Sequence, residues 1–263
     1  MGKARRQLEK RKYAKAQLGR VMDQPDHVIV IHYSCESFYE RPDGSSPRIT
    51  SIAVRNLGSG QTISFSIHQA AEIRGIPSGD IDAHYNDLEK RMLDGFYQYA
   101  REHSGYTWLH WNMRDINYGF QAISHRYRVL GGTPVDIPEA LLFDLARSFA
   151  ALYGLRYAPH PRLKHIVERN GVSHKDFLTG ADEATAFQNK QYVPLHLSTL
   201  RKVDVLATLA ERADQGSIRT YAPIADKWGL YPQAFGEWLK EHWVVSIVGA
   251  AIAIASLIIG LLR

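Results

Sequence analysis

Residues 244–262 read VVSIVGAAIAIASLIIGLL, nineteen positions without a charge. As an α-helix the run is roughly 28 Å long, close to the ~30 Å hydrocarbon core of a bilayer. A helix satisfies its own backbone polar groups, so such a segment can sit in lipid. Trp238 and Trp243 precede it, where an interfacial aromatic belt lies, and Arg263 closes it. The alternative is a buried helix of a large core, but core helices of this length nearly always carry a polar face. The run therefore predicts a single-pass membrane anchor behind a soluble body. Within it, Gly249 and Ala253, like Ala251 and Ala255, form a small-xxx-small stripe. Such a stripe either packs helices into a homo-oligomer or is neutral lipid-facing surface.

Removing the tail leaves about 240 residues, enough for one large domain or two small ones. The single cysteine, Cys35, has no partner for an internal disulfide, which fits a reducing compartment and argues against a cysteine-built zinc site. The opening MGKARRQLEKRKYAKAQLGR does not read as a hydrophobic signal peptide. Residues 1–20 hold eight Lys/Arg and one Glu, a net of +7, whereas the whole chain is +5. The positive excess therefore lies in an N-terminal arm and the rest of the chain is slightly acidic. Lys3, Arg5, Arg6, Lys10, Arg11 and Lys12 are the candidates for contact with nucleic acid or anionic lipid. The same charge favours keeping this end of a membrane-anchored chain in the cytoplasm.

Between arm and tail the pattern is mixed. Val28 to Tyr33 is a β-branched apolar run that reads as a buried strand. Two further strands, Ile49 to Val54 and Thr62 to Ile67, flank the turn Leu57-Gly58-Ser59-Gly60. Leu88, Met92, Phe96 and Ala100 recur every four residues along a helix that Ser78 or Asp80 can cap. Tyr106 to Trp111 reads as a fourth strand. Helical spacing follows over Asp115–Leu130, from Pro138 through Phe149, from Leu163, and over Leu197–Ala213. This β-β-β-α-β order followed by helices predicts an α/β fold, with a mixed five-stranded-type sheet flanked by helices and one C-terminal transmembrane helix. The expected divisions are a basic arm (1–26), the α/β domain (27–213), a linker (214–243) and the membrane helix (244–262).

Three carboxylates fall at element ends or inside a helix. Glu36 follows the first strand, Asp115 follows the fourth, and Asp204 lies in the last helix. Two-metal phosphoryl hydrolysis needs such carboxylates to converge on ions ~3.5–4 Å apart, and hard cations such as Mg²⁺ prefer oxygen ligands. Glu36, Asp115 and Asp204 satisfy that requirement in type.

Here the chain resembles the ribonuclease H-like 3′-5′ exonucleases that carry two acidic residues in a first motif and one each in a second and third. The resemblance covers roughly residues 27–213. The family's first strand ends Asp-x-Glu-[Thr/Ser]; this one ends Ser34-Cys35-Glu36-Ser37, with Ser34 in place of the leading Asp. The second motif, an Asp five residues after a His, matches His110 and Asp115. The third calls for a Tyr four or a His five residues before the last Asp, and Leu200 and Thr199 stand there before Asp204. The resemblance implies catalytic and metal-binding roles for Glu36, Asp115 and Asp204, with Mg²⁺ or Mn²⁺ as cofactor if the protein is active. Ser34 is a poor Mg²⁺ ligand. Loss of the base that handles the attacking water typically costs ~10²–10⁴ in rate. The implied function is a membrane-anchored, degenerate exonuclease-like domain that binds nucleic-acid ends or nucleotides. The alternatives are an active exonuclease with a rebuilt site and a tail-anchored interaction or effector protein.

Overall fold

The computed structural model describes residues 3–36, 46–115 and 118–223, with side chains from residue 6 onward. Among these residues the chain runs α1 (Lys3–Asp23), β1 (Val28–Cys35), β2 (Ile49–Asn56), β3 (Thr62–Ser66), α2 (Ile67–Ile73), α3 (Tyr85–Glu102) and β4 (Thr107–His110). It continues through α4 (Phe120–Val129), β5 (Leu142–Asp144), α5 (Leu145–Tyr153), α6 (Arg162–Arg169), α7 (Gly180–Gln188) and α8 (Tyr192–Asp214). The strands form one sheet in the order β3-β2-β1-β4-β5. β2 is antiparallel to β1 and β3, while β4 is parallel to β1 and β5. The expected mixed five-stranded sheet flanked by helices is what the chain forms.

β1 is central and buried along its whole length, which explains its unbroken apolar run. Its side chains still alternate between two cores. Val28 and Val30 join Ala53, Leu109, Phe149 and Leu206 under α1, α5 and α8. Ile29, Ile31, Tyr33 and Cys35 join Met92, Phe96, Trp108 and Ile123 under α3 and α4. The four-residue apolar period of α3 is the face that fills this second core. A smaller cluster of Ile67, Ile81, Tyr85, Leu88, Tyr192 and Leu195 ties α2 to the start of α8.

Several expected boundaries move. The helical pattern read from Pro138 contains β5, whose three residues are too few to show alternation; parallel pairing of Trp108 with Leu142 and of His110 with Asp144 makes it a strand. The helix expected from Asp115 begins at Phe120, after Gly119, whose φ of +155° closes the turn where a Cβ would strike the Met113 carbonyl. α2 and α7 were not anticipated; α7 opens on a capping box between Thr179 and Asp182. The segment read as an arm is a helix whose second half docks on the body: Ala14, Leu18 and Val21 are buried in the α5/α8 core. The body also extends past residue 213. Ile218 is buried in the same core, and the Asn170 side chain bonds the backbone of Arg219 in both directions.

Among the described residues no helix is long and apolar enough to cross a membrane. The run 244–262, with Gly249 and Ala253, and most of the expected linker lie outside the described residues.

Candidate functional site

The C-terminal end of β1 is where the sequence places its first motif, and the structure puts a closed polar network there. Ser34 continues the face that Val28 and Val30 present to α8, so its hydroxyl points at that helix. Ser34 Oγ donates to Glu183 Oε1 at 2.8 Å and lies 2.8 Å from Thr199 Oγ1. Ser51, the register partner of Ser34 on β2, reaches the same Thr199 at 2.7 Å. Glu183 comes from α7, and its Oε1 also accepts from Ser198 at 3.0 Å and pairs with Lys202 Nζ at 2.7 Å. Each hydroxyl has one proton, so the bonds run one way: Ser51 to Thr199, Thr199 to Ser34, Ser34 to Glu183. Thr199 shares its proton with the Leu195 carbonyl, 2.9 Å away.

This network is sealed. Ser34, Ser51, Ser198 and Thr199 are at most 1% exposed, and the Glu183 and Lys202 side chains 3% and 5%. Lys202 also lies over the Phe177 ring, 5.3 Å from its centre. A buried carboxylate is tolerated only when its charge is matched and its lone pairs are filled. Here the ammonium matches the charge and two hydroxyls fill further lone pairs. His32, two residues before Ser34 on the same strand face, is buried with neither ring nitrogen bonded to a described residue. Burial, and after it the Lys202 charge, holds its pKa well below the ordinary histidine value, so the imidazole is neutral at neutral pH.

A second polar group closes the ends of β4 and β5. Asp144 caps α5 by accepting from the Ala146 and Arg147 amides at 3.0 and 3.2 Å. It also accepts from the Asn112 amide at 3.2 Å and meets Arg114 Nε at 3.4 Å. His110 Nδ1 accepts from the Met113 amide at 3.1 Å, which puts the proton of the neutral ring on Nε2. Burial is the main cause lowering its pKa to about 4; the Arg114 charge adds to this and Asp144 opposes it.

The expected carboxylate triad does not assemble. Glu36 sits at the strand end, where its Oε2 accepts from the Arg48 amide at 3.3 Å. Asp115 lies in the turn after β4, and its carbonyl accepts from the Tyr118 amide at 3.2 Å. Asp204 is at the far end of β2, where it pairs with Arg55 at 3.2 Å and with Arg201 at 3.8 Å. The reason is helix phase and rise. Thr199 is the α8 residue opposite Ser34, and Asp204 is roughly 7.5 Å further along the axis. Arg55 lies four residues beyond Ser51, roughly 13 Å along the strand. Among the described residues no three His, Cys, Asp or Glu side chains gather closely enough to hold a metal ion.

The donors that do meet here do not suit Mg²⁺ or Mn²⁺. Such ions want several oxygen ligands with negative charge. Glu183 Oε1, the carboxylate oxygen of this network, is already engaged by an ammonium and two hydroxyls. Sequence reasoning passed over Glu183, Ser198 and Lys202. The available signal was Thr179-x-x-Asp182, which marks a helix start and places Glu183 in its first turn.

Of the basic residues at the N-terminus, Arg6, Lys10 and Lys12 are exposed on α1. Arg11 leans toward α5, where its charge reaches Tyr153. The side chains of Lys3 and Arg5 lie outside the described set. No protein-family model, no curated protein and no solved structure matches this chain.

Proposed function

We propose that the chain is a degenerate ribonuclease H-like domain of the 3′-5′ exonuclease kind, which binds a nucleotide or nucleic-acid end with weak or lost hydrolysis. The strand order β3-β2-β1-β4-β5, with only β2 reversed, supports the fold assignment. The observation that carries the functional reading is the Ser34–Glu183–Lys202 network. In a metal-dependent hydrolase of this layout, the end of the first strand offers a carboxylate to cations. Here it offers a hydroxyl, and a lysine of the chain itself supplies the positive charge. A buried Lys–Glu pair holds the strand end rigid without opening a coordination site.

Nucleic acid would meet α1 through the exposed side chains of Arg6, Lys10 and Lys12. Neutralising phosphates with such residues releases counterions, so binding of this kind weakens steeply with salt. The run 244–262 would hold the domain at a membrane with its N-terminal side in the cytoplasm, and Gly249 and Ala253 would provide the self-association stripe.

The deciding experiment uses the full chain in detergent micelles with a 5′-labelled single strand, in Mg²⁺, in Mn²⁺ and in chelator. The expected result is salt-sensitive binding in all three, with no metal-dependent shortening. Replacing Arg6, Lys10 and Lys12 together by Gln should flatten the log–log salt slope by about 2. Metal-dependent digestion that disappears in Asp115→Ala would overturn the loss of hydrolysis, and a salt slope unchanged in the triple variant would overturn the role of α1.

A further inference from the structure

On the face of the sheet opposite the sealed network, the structure contains a cavity of about 800 Å³ between α3, α4 and the ends of β1 and β5. Small-molecule sites run roughly 300–1,000 Å³, with largely apolar walls and a few polar groups that orient the ligand. This cavity has both parts. Phe120, Val135, Ile137 and Leu142 line it as half-buried apolar side chains that keep part of their surface accessible. Arg114, His125 and Arg128 line it from exposed positions.

The charges at this rim are held loosely. Arg128 meets Asp136 at 3.6 Å with side chains 55% and 86% exposed, an arrangement that contributes little. Arg114 meets Asp144 at 3.4 Å, but that carboxylate is already served by three backbone amides. Both guanidiniums can turn to an incoming acid group without leaving a buried carboxylate bare. Glu139, also on the rim, is exposed and disfavours a ligand with more than one negative charge nearby.

We propose that this cavity binds a small, largely apolar molecule carrying one acid group, with its apolar body among Phe120, Val135, Ile137 and Leu142 and its acid group against Arg128 and Arg114. The site lies across the sheet from Ser34, Glu183 and Lys202 and does not depend on the exonuclease reading.

Two fluorescent probes test it on the full chain: 8-anilinonaphthalene-1-sulfonate, an aromatic anion, and N-phenyl-1-naphthylamine, its neutral counterpart. The sulfonate should bind saturably at one site per chain. Arg128→Gln should weaken the sulfonate by about tenfold and leave the neutral probe unchanged. Ala122→Trp projects bulk into the cavity and should abolish binding of both; His125→Trp does so from an exposed position, in case the first variant does not fold. Circular dichroism melts establish that each variant is folded. Absence of saturable binding, or binding that survives both tryptophan variants, overturns the site. Equal weakening of both probes by Arg128→Gln overturns the assignment of the acid group.

Discussion

Two buried glutamates in this domain face a cation, and they do different things. Glu89 on α3 is held by Arg126 of α4 through Nε at 3.0 Å to both oxygens and through Nη2 at 2.6 Å. The Ile49 amide donates to the same carboxylate at 2.7 Å. That arrangement is a clamp: a planar fork matched to a planar acceptor, joining two helices to the first residue of β2. Glu183 meets Lys202, a point charge on a flexible stem, and its remaining bonds come from the rotatable hydroxyls of Ser34 and Ser198. The first pair is built for geometry. The second supplies charge at the C-terminal end of the central strand. A buried ion pair therefore needs to be read from its donors before it is given a role.

The largest effect is expected at Arg126. Arg126→Met leaves Glu89 buried without its cation, held only by the Ile49 amide, so urea denaturation should show a loss of about 4–5 kcal/mol. Lys202→Met strands Glu183 in the same way but leaves it two hydroxyl donors, and should cost about 3 kcal/mol. The double variant Lys202→Met, Glu183→Leu should recover to within about 1 kcal/mol of the parent, because removing both charges also removes the desolvation cost. If it stays as unstable as Lys202→Met, the pair is a clamp like the first.

Acid acts on the buried histidines. His196 is buried against Ser64, bonded through Nε2 at 2.8 Å, with the His68 ring 4.9 Å away between centres. Burial first, then the neighbouring imidazole, lowers its pKa from 6.5 to about 4. The unfolded chain therefore binds more protons than the folded one between those values, so this contribution makes stability fall as the pH drops from 6.5 toward 4. His32 and His110 titrate in the same sense. Melting temperatures across that range should decline, and His196→Gln should shallow the decline.

The smallest effect is expected at Asp204. Its side chain is 42% exposed and its ion pairs with Arg55 and Arg201 lie at the surface. Asp204→Ala should change stability by less than about 0.5 kcal/mol. A loss as large as that of Lys202→Met would place Asp204 inside the polar network, contrary to the geometry.

Much of the scaffold can be read from local pattern. The apolar run at β1, the turn before β3 and the four-residue period of α3 each carry their own signal over a few residues. β5 was missed because three residues are too short to reveal a period, and only its ladder with β4 defines it. The polar network was missed for a different reason. Ser34 lies 149 residues from Glu183 and 165 from Thr199. No local spacing encodes a meeting over that distance.

By itself, the amino-acid order marked the first four strands and the helices α3 and α8, and it showed that β1 would be a buried strand. The tertiary structure decided what Ser34 touches. Two residues five apart on a helix lie roughly 140° apart in phase and 7.5 Å apart along its axis, the latter roughly two strand residues. The axial position at which α8 crosses β1 and β2 therefore put Thr199 and Lys202 at the strand end and carried Asp204 away to Arg55. That position is set by how the side chains of three elements interlock, a property of the packed core and not of any one segment.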